Sequence, residues 1–317
     1  GGGGGERVGI GGAGEGADAV IVSVCSDKGA PGVTTLATAL GLVWPGERAV
    51  VEADTAGSDL AFRLRQNVSE FAPPHLAPDP SITGLATAAR LGLTAAGPLP
   101  FAQDTTLGVP VVPGVLSAER FRALRSLWPG LAPALARWRG TVLADLGRLH
   151  QGAPTVPVAQ ASTAVLLVTR ADLEGLFHVR DRVAELAGMV GPGEGARVRG
   201  GVVVTAPVKQ RRPAVEQVKQ VLASIGSPAP VLGCFVHDPA AAQSLWAGVV
   251  TRRLAGSELV RSARSVAESV LATWPSLAAT ATGSIGSDSS DGSGGPSEQQ
   301  TTDATGVAAQ QGQVVGR

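Results

Sequence analysis

Tyrosine is absent from this 317-residue sequence, aromatic residues make up 3% of it, and it has one methionine and two cysteines. So few cysteines exclude a disulfide-stapled scaffold. Cys25 and Cys234 both sit in apolar runs. They are expected as buried thiols in a reducing compartment, not as a disulfide or metal pair. No apolar run reaches 18 residues, which excludes a membrane-spanning helix, and no signal peptide is visible. A cytoplasmic location follows as the expectation. The chain begins with Gly and its sole Met is Met189, so a missing natural N-terminus is expected. Lysine is scarce as well. Only Lys28, Lys209 and Lys219 are found among 26 basic residues. This Arg bias, with abundant Ala and Gly, suggests a GC-rich genome. Against it, the single lysine of the first 208 residues lies in a Gly-rich turn. Lysine resists replacement by Arg where a compact ammonium must fit among phosphates.

Residues 1–17 are mostly Gly, and 276–317 are rich in Ser, Gly, Thr and Gln. Neither segment can bury enough surface to offset its ordering entropy, so both are expected to be disordered. The remainder, 18–275, suits one large α/β domain. Net charge is zero but uneven. Residues 197–264 hold ten Lys/Arg against three Asp/Glu, whereas 18–196 hold fourteen against sixteen. A basic C-terminal third faces nucleic acid, anionic lipid or simply solvent.

The run Ala19–Cys25 is β-branched and bounded by turn residues, so it reads as a buried central strand. Ser26–Gly32 follows as a turn, Thr34–Val43 as a helix, and Ala49–Ala53 as a second strand ending at Asp54. That is a βαβ unit with parallel strands. Further strands are expected at Val109–Val112, Thr141–Ala144 (ending at Asp145), Ala164–Thr169, Gly201–Thr205 and Val231–Val236. Helices are expected at Ser81–Leu91, Ala118–Trp128, Ala132–Trp138, Asp172–Val190, Pro213–Ile225, Ala240–Ala247 and Glu258–Trp274. The alternation predicts an α/β fold with a doubly wound, mostly parallel sheet of about seven strands.

The turn reads Asp27-Lys28-Gly29-Ala30-Pro31-Gly32-Val33-Thr34-Thr35. A Gly-rich turn between a buried strand and a helix suits an anion cradle of backbone N–H groups at a helix N-terminus. The alternative is an ordinary strand-to-helix turn. This segment resembles the deviant Walker A motif of the ParA/MinD ATPases, a K-G-G-x-G-K-[ST]-[ST] pattern. Lys28 falls on the family's signature lysine, and Gly29, Gly32, Thr34 and Thr35 match. Ala30 replaces a glycine, and Val33 stands where the phosphate-loop lysine belongs. Three other segments resemble the family in the same order. They are Glu52-Ala53-Asp54 after the second strand, Val109–Gly114, and TVLADLG at 141–147, which matches a Walker B strand.

The resemblance covers nearly all of 18–275 and implies a P-loop NTPase of SIMIBI type. It implies ATP and Mg²⁺ as cofactors, with residues 29–35 holding the nucleotide and Thr34 and Asp145 serving the metal. Lys28 would reach phosphates across a dimer, and Asp54 would position the attacking water or metal. Asp54 reads otherwise as a strand-end acid. Val231–Gly248 resembles the family's late strand and loop beside the base, with His237 in place of the usual first Pro, which implies that His237, Asp238 and Pro239 line the adenine pocket, although Asp238 equally suits a helix cap. The resemblance also implies a homodimerising switch in chromosome or plasmid partitioning, division-site placement, or secretion and pilus positioning, with a protein partner or cargo adaptor. Val33 implies slow or absent hydrolysis, and the alternative is a non-catalytic scaffold of the same fold. Non-specific DNA binding, which the ParA side of the resemblance implies, would use patches such as Arg211, Arg212, Arg252, Arg253, Arg261 and Arg264. The stripe Leu259, Val260, Ala263, Val266, Val270, Leu271 on the last helix reads as core-facing, which disfavours membrane binding. The four histidines show no metal spacing and read as surface or loop residues.

Overall fold

Val20–Ser26 (β1) is buried along its whole length, as a strand covered on both faces must be. The computed structural model describes residues 19–278 except 30, 69–70, 72–73, 93–96, 190–198 and 249. The segments expected to be disordered, 1–17 and nearly all of 276–317, lie outside the described residues. The packed region reaches Leu277, which is fully buried.

After β1 the chain forms α1 (Val33–Val43), β2 (Arg48–Glu52), α2 (Leu60–Arg63) and α3 (Ile82–Arg90). Then follow β3 (Gln103–Asp104), β4 (Pro110–Val112), α4 (Ala118–Ala123), α5 (Leu131–Leu135), β5 (Thr141–Arg148) and α6 (Val156–Ala161). The second half contains β6 (Ala164–Arg170), α7 (Leu173–Met189), β7 (Arg199–Ala206), α8 (Arg211–Ser224), β8 (Val231–Val236), α9 (Pro239–Trp246), α10 (Arg252–Ala255) and α11 (Glu258–Thr273). The strands form one sheet of eight in the order β3-β4-β2-β5-β1-β6-β7-β8. Every pairing is parallel except β3 with β4. The expected doubly wound sheet is present, with one strand more than about seven. The extra strand, β3, has two residues, too few to leave a periodic signal.

The helix expected over 118–128 breaks into α4 and a 3₁₀ turn over Arg125–Gly130. Pro129 lacks the N–H an α-helix needs, and Trp128 stacks on Phe121 with ring centroids 4.2 Å apart. β5 does not stop at Asp145 but runs on to Arg148.

The sheet is packed on both faces. On one, Ile21, Cys25, Val142, Ala144 and Leu146 meet residues of α3, α5, α7 and α8. On the other, Val22, Val24 and Leu143 meet Val33, Leu36 and Leu40 of α1 and Leu259, Ala263 and Val266 of α11. The α11 stripe is thus core-facing, as expected. Among the described residues no helix is long and apolar enough to cross a membrane. The expectation of two buried thiols holds for Cys25 alone. Cys234 is half-buried, because it lies on the outermost strand, β8.

Candidate functional site

Because β5 lies on one side of β1 and β6 on the other, the carboxyl end of β1 opens at a topological switch point of the sheet. Open α/β sheets bind ligands there. The Gly-rich loop occupies that position. Gly32 has φ +99°, a left-handed conformation that turns the chain into α1. Lys28 and Gly29 are exposed, Pro31 is buried, and Thr34 and Thr35 are half-buried in the first turn of α1. Ala30 lies outside the described residues. Val33 is 6% exposed and belongs to the α1 side of the core. No side chain caps the N-terminus of α1. Its first N–H groups therefore remain available to an anion.

Three carboxylates gather beside this loop from β2 and β5. Asp145 is 0% exposed. Its Oδ1 accepts a hydrogen bond from the Gly147 N–H at 3.0 Å, while its Oδ2 has no partner. Burial, reinforced by the charge of Glu52 and in part by Asp54, pushes its carboxyl up to about 7, and the adjoining Thr34 hydroxyl counters this. Asp54 folds back to accept the Ala56 N–H at 2.8 Å. Burial raises its pKa too, and Arg148 opposes that rise. Thr34, Asp54 and Asp145, nominated from three separate segments, thus meet at one place.

Glu52 has a different task. Its Oε1 accepts the N–H groups of Asp59 and Leu60 at 2.8 and 3.0 Å, and its Oε2 accepts the Gly114 N–H at 2.9 Å and the Ser58 hydroxyl. Burial raises its pKa and these four bonds oppose the rise. One carboxylate therefore ties the start of α2 and the Pro113-Gly114 turn to the end of β2. Sequence reading placed Glu52 in an acidic pair but did not find this clamp. Its partners at 58–60 and 114 carry no local signal.

Asp27 is a second residue the sequence did not single out. Its carboxylate takes the Arg182 Nε–H at 2.7 Å and faces His178 Nδ1 at 2.9 Å. Arg182 also bridges to Glu185. This network pins the start of the loop to α7 across 155 residues of sequence. His178 is thereby half-buried on a helix and paired, not the surface or loop histidine expected.

Two clefts flank the loop. One, of about 290 Å³, lies between Lys28, Gly29 and Pro31 and residues of β6 and α7, including Thr169 and His178. The other, of about 160 Å³, is bounded by Gly32, Thr35, Phe235, His237, Asp238 and Pro239. His237, Asp238 and Pro239 of the late loop thus share a cleft with Gly32 and Thr35 of the Gly-rich loop. Asp238 also caps α9, accepting the Ala241 N–H at 3.0 Å. Arg211, Arg212 and Arg261 line an open groove between α8 and α11, where Glu258 pairs with Arg261 at 2.6 Å and Arg211 at 3.9 Å. Arg252, Arg253 and Arg264 are exposed outside its lining.

Among the described residues no group of three or more His, Cys, Asp or Glu side chains is arranged to hold a metal unaided. A cation here would take its remaining ligands from phosphate and water, which the hard oxygens of Thr34 and Asp145 suit. The unpartnered, buried Asp145 Oδ2 fits such a group.

No protein-family profile matches the sequence, and no curated protein aligns with it significantly. Solved structures do match. The cell-division ATPase MinD of Pyrococcus furiosus is 21% identical, with a TM-score of 0.57 over 80% of this chain and 99% of that one. A ParA-family ATPase of Chlorobium tepidum is 17% identical, with a TM-score of 0.55 over 78% and 98%. Cobyrinic acid a,c-diamide synthase of Mycobacterium smegmatis, solved with ADP and magnesium, is 16% identical, with a TM-score of 0.54 over 82% and 96%. At these identities the likeness is one of fold. The chain has the P-loop NTPase fold of MinD- and ParA-type ATPases.

Proposed function

We propose that this chain binds ATP with Mg²⁺ at the loop of residues 28–35 and works as a ParA/MinD-like dimerising switch in spatial organisation. The observation that carries the reading is that Thr34 adjoins the buried Asp145, whose Oδ2 has no hydrogen-bond partner, beside the end of β1. Residues 29–35 would cradle the phosphates and Thr34 and Asp145 would hold Mg²⁺. When bound, that cation neutralises phosphate charge. Thr35 would contact an inner phosphate, and His237, Asp238 and Pro239 would border the base in the smaller cleft. Lys28 is exposed, and among the described residues no ion pair holds it. That leaves it able to reach phosphates of its own or a partner subunit. Asp54 would orient the attacking water.

Val33 sets the rate. A phosphate-loop lysine stabilises charge that grows in the transition state, and an isopropyl group buried in the core cannot. Slow turnover follows. The same residue favours a second reading, a non-catalytic scaffold whose dimer interface recruits a protein partner or cargo adaptor. Non-specific DNA at Arg211, Arg212, Arg252, Arg253, Arg261 and Arg264 is an additional partner on the switch reading. The inward-packed α11 stripe argues against membrane binding. The unpaired cysteines fit a reducing, cytoplasmic setting.

The test is calorimetry of ATP and ADP with Mg²⁺, alongside size-exclusion chromatography, on the full chain and Lys28→Ala. Micromolar ATP binding with ATP-dependent dimerisation, lost in Lys28→Ala, supports the switch. Absence of binding at millimolar nucleotide removes the ATPase reading and leaves the scaffold. Val33→Lys then separates the two for a protein that binds. Restored hydrolysis means that the remaining machinery is intact.

A further inference from the structure

Glu52, Asp54 and Asp145 bring three carboxylates to the end of the sheet where Val33 supplies no compensating charge. A triphosphate arriving there adds more negative charge. Besides a divalent cation, the loop's own Lys28 is the only cation the sequence reading assigned to this site. The structure holds another.

β5 does not pair evenly with β1. Val24 lies opposite Asp145, but Ser26 lies opposite Arg148, so two steps on β1 match three on β5. This is a β-bulge at Leu146–Gly147, where Gly147 takes φ +58°. The bulge has a consequence for side-chain direction. Side chains alternate faces along a strand, so an unbroken β5 would put Arg148 with Ala144 and Leu146, on the face covered by α3, α7 and α8. One extra residue reverses the alternation beyond it. The core confirms the reversal. Leu146 and Leu149 are three residues apart, yet both pack into the same cluster, with Ile21 and Cys25. Arg148, between them, therefore stands on the opposite face with Asp145, and α1 and Val33 cover that face. Its backbone partner Ser26 is the last residue of β1, immediately before the loop. The Arg148 side chain is exposed, and its charge is felt by Asp54. Among the described residues no hydrogen bond or ion pair occupies its guanidinium. Bulges beside functional sites re-aim single side chains in this way.

We infer that Arg148, turned to the loop's face by the β5 bulge, binds the terminal phosphates of the nucleotide and supplies from β5 the positive charge that Val33 leaves out of α1. The inference rests on the nucleotide reading above. A guanidinium suits the role, since it is always charged and engages phosphate oxygens in pairs. Coming from the strand and not from the loop, it provides affinity for triphosphate without reproducing the placement of a loop lysine.

Calorimetry of the full chain with Mg-ATP and Mg-ADP tests this, with thermal melts to show that each variant is folded. Arg148→Ala is expected to weaken Mg-ATP binding by roughly tenfold or more, the scale of one lost charge-assisted contact. Mg-ADP should lose less. Arg148→Lys, which keeps the charge but not the paired contact, should fall between the parent and alanine, and Arg148→Gln, which keeps polarity without charge, should match alanine. Adding Val33→Lys to Arg148→Ala should return affinity for Mg-ATP. Unchanged Mg-ATP affinity in Arg148→Ala and Arg148→Gln overturns the inference, as does failure of the added lysine to recover it. A parent chain that binds no nucleotide at all brings down the nucleotide reading itself, a result distinct from parent binding without an Arg148 effect.

Discussion

Gly147 lies directly against the Asp54 carboxyl group. A Cβ on Gly147 would fall 2.2 Å from the Asp54 carboxyl carbon and 2.3 Å from each of its oxygens. The bulge of β5 and the acid after β2 thus define each other's positions. Gly147→Ala is expected to destabilise the fold by about 2 kcal/mol or more, from the left-handed backbone and the forced withdrawal of Asp54. Urea unfolding measures this. A change within a few tenths of a kcal/mol would show that Asp54 moves aside freely.

Glu52→Gln keeps the size of the side chain but replaces one acceptor oxygen with an N–H₂ group that faces hydrogen-bond donors. Loss of about 2–4 kcal/mol is expected from the buried donors left unsatisfied. Increased proteolysis around α2 should accompany it, since residues 58–60 lose their tie to β2. Limited digestion with mass mapping reads this directly. A variant as stable and as resistant as the parent would remove Glu52 from its clamp role.

Stability should carry a pH signature of Asp145. Its folded pKa is raised to about 7, above its ordinary value of 3.8. Between those values the folded state holds a proton that the unfolded state releases. Stability from this group is therefore full at low pH and falls as pH rises towards 7. Asp145→Asn should be more stable than the parent at pH 8, by on the order of a few kcal/mol, and equal to it near pH 4. Parallel stability curves for the two proteins from pH 4 to 8 would contradict the assignment. The same variant should lose Mg²⁺-dependent nucleotide binding.

The two thiols should react unequally. Burial pushes the Cys25 thiol up to about 12, while Cys234 is only half-buried. Iodoacetamide at pH 8 should alkylate Cys234 slowly and Cys25 only in denaturant, because the thiolate is the reacting form. Rapid labelling of Cys25 in the folded protein would mean that β1 opens readily.

Much of the fold was legible because strand and helix signals are local. The β-branched run at 19–25, the Gly-rich turn after it and the apolar stripe of α11 each declare themselves within a few residues. The same holds for the loop and for Asp54 as the acid after β2, whereas Asp145 lies inside β5 and not at its end. The errors occur where a proline, a ring stack or a distant group intervenes. Pro129 and the Phe121–Trp128 stack break a helix that residue pattern alone continues. His178 reads as a surface residue until Asp27 is seen to reach it. Cys234 reads as buried until β8 is found at the edge of the sheet.

By itself, then, the sequence determined that β1 is central, that a glycine-rich turn opens α1, and that this turn carries Lys28 as its one basic residue, with valine at 33. These are properties of residue type and short-range order. Tertiary structure alone decided that Glu52 clamps two loops, that Asp27 is held by α7, and that Arg148 lies on the Asp145 face of the sheet. The last depends on one extra residue in the register between β5 and β1. Register is a relation between strands more than a hundred residues apart, and the period-two alternation of either strand, read singly, gives the wrong face.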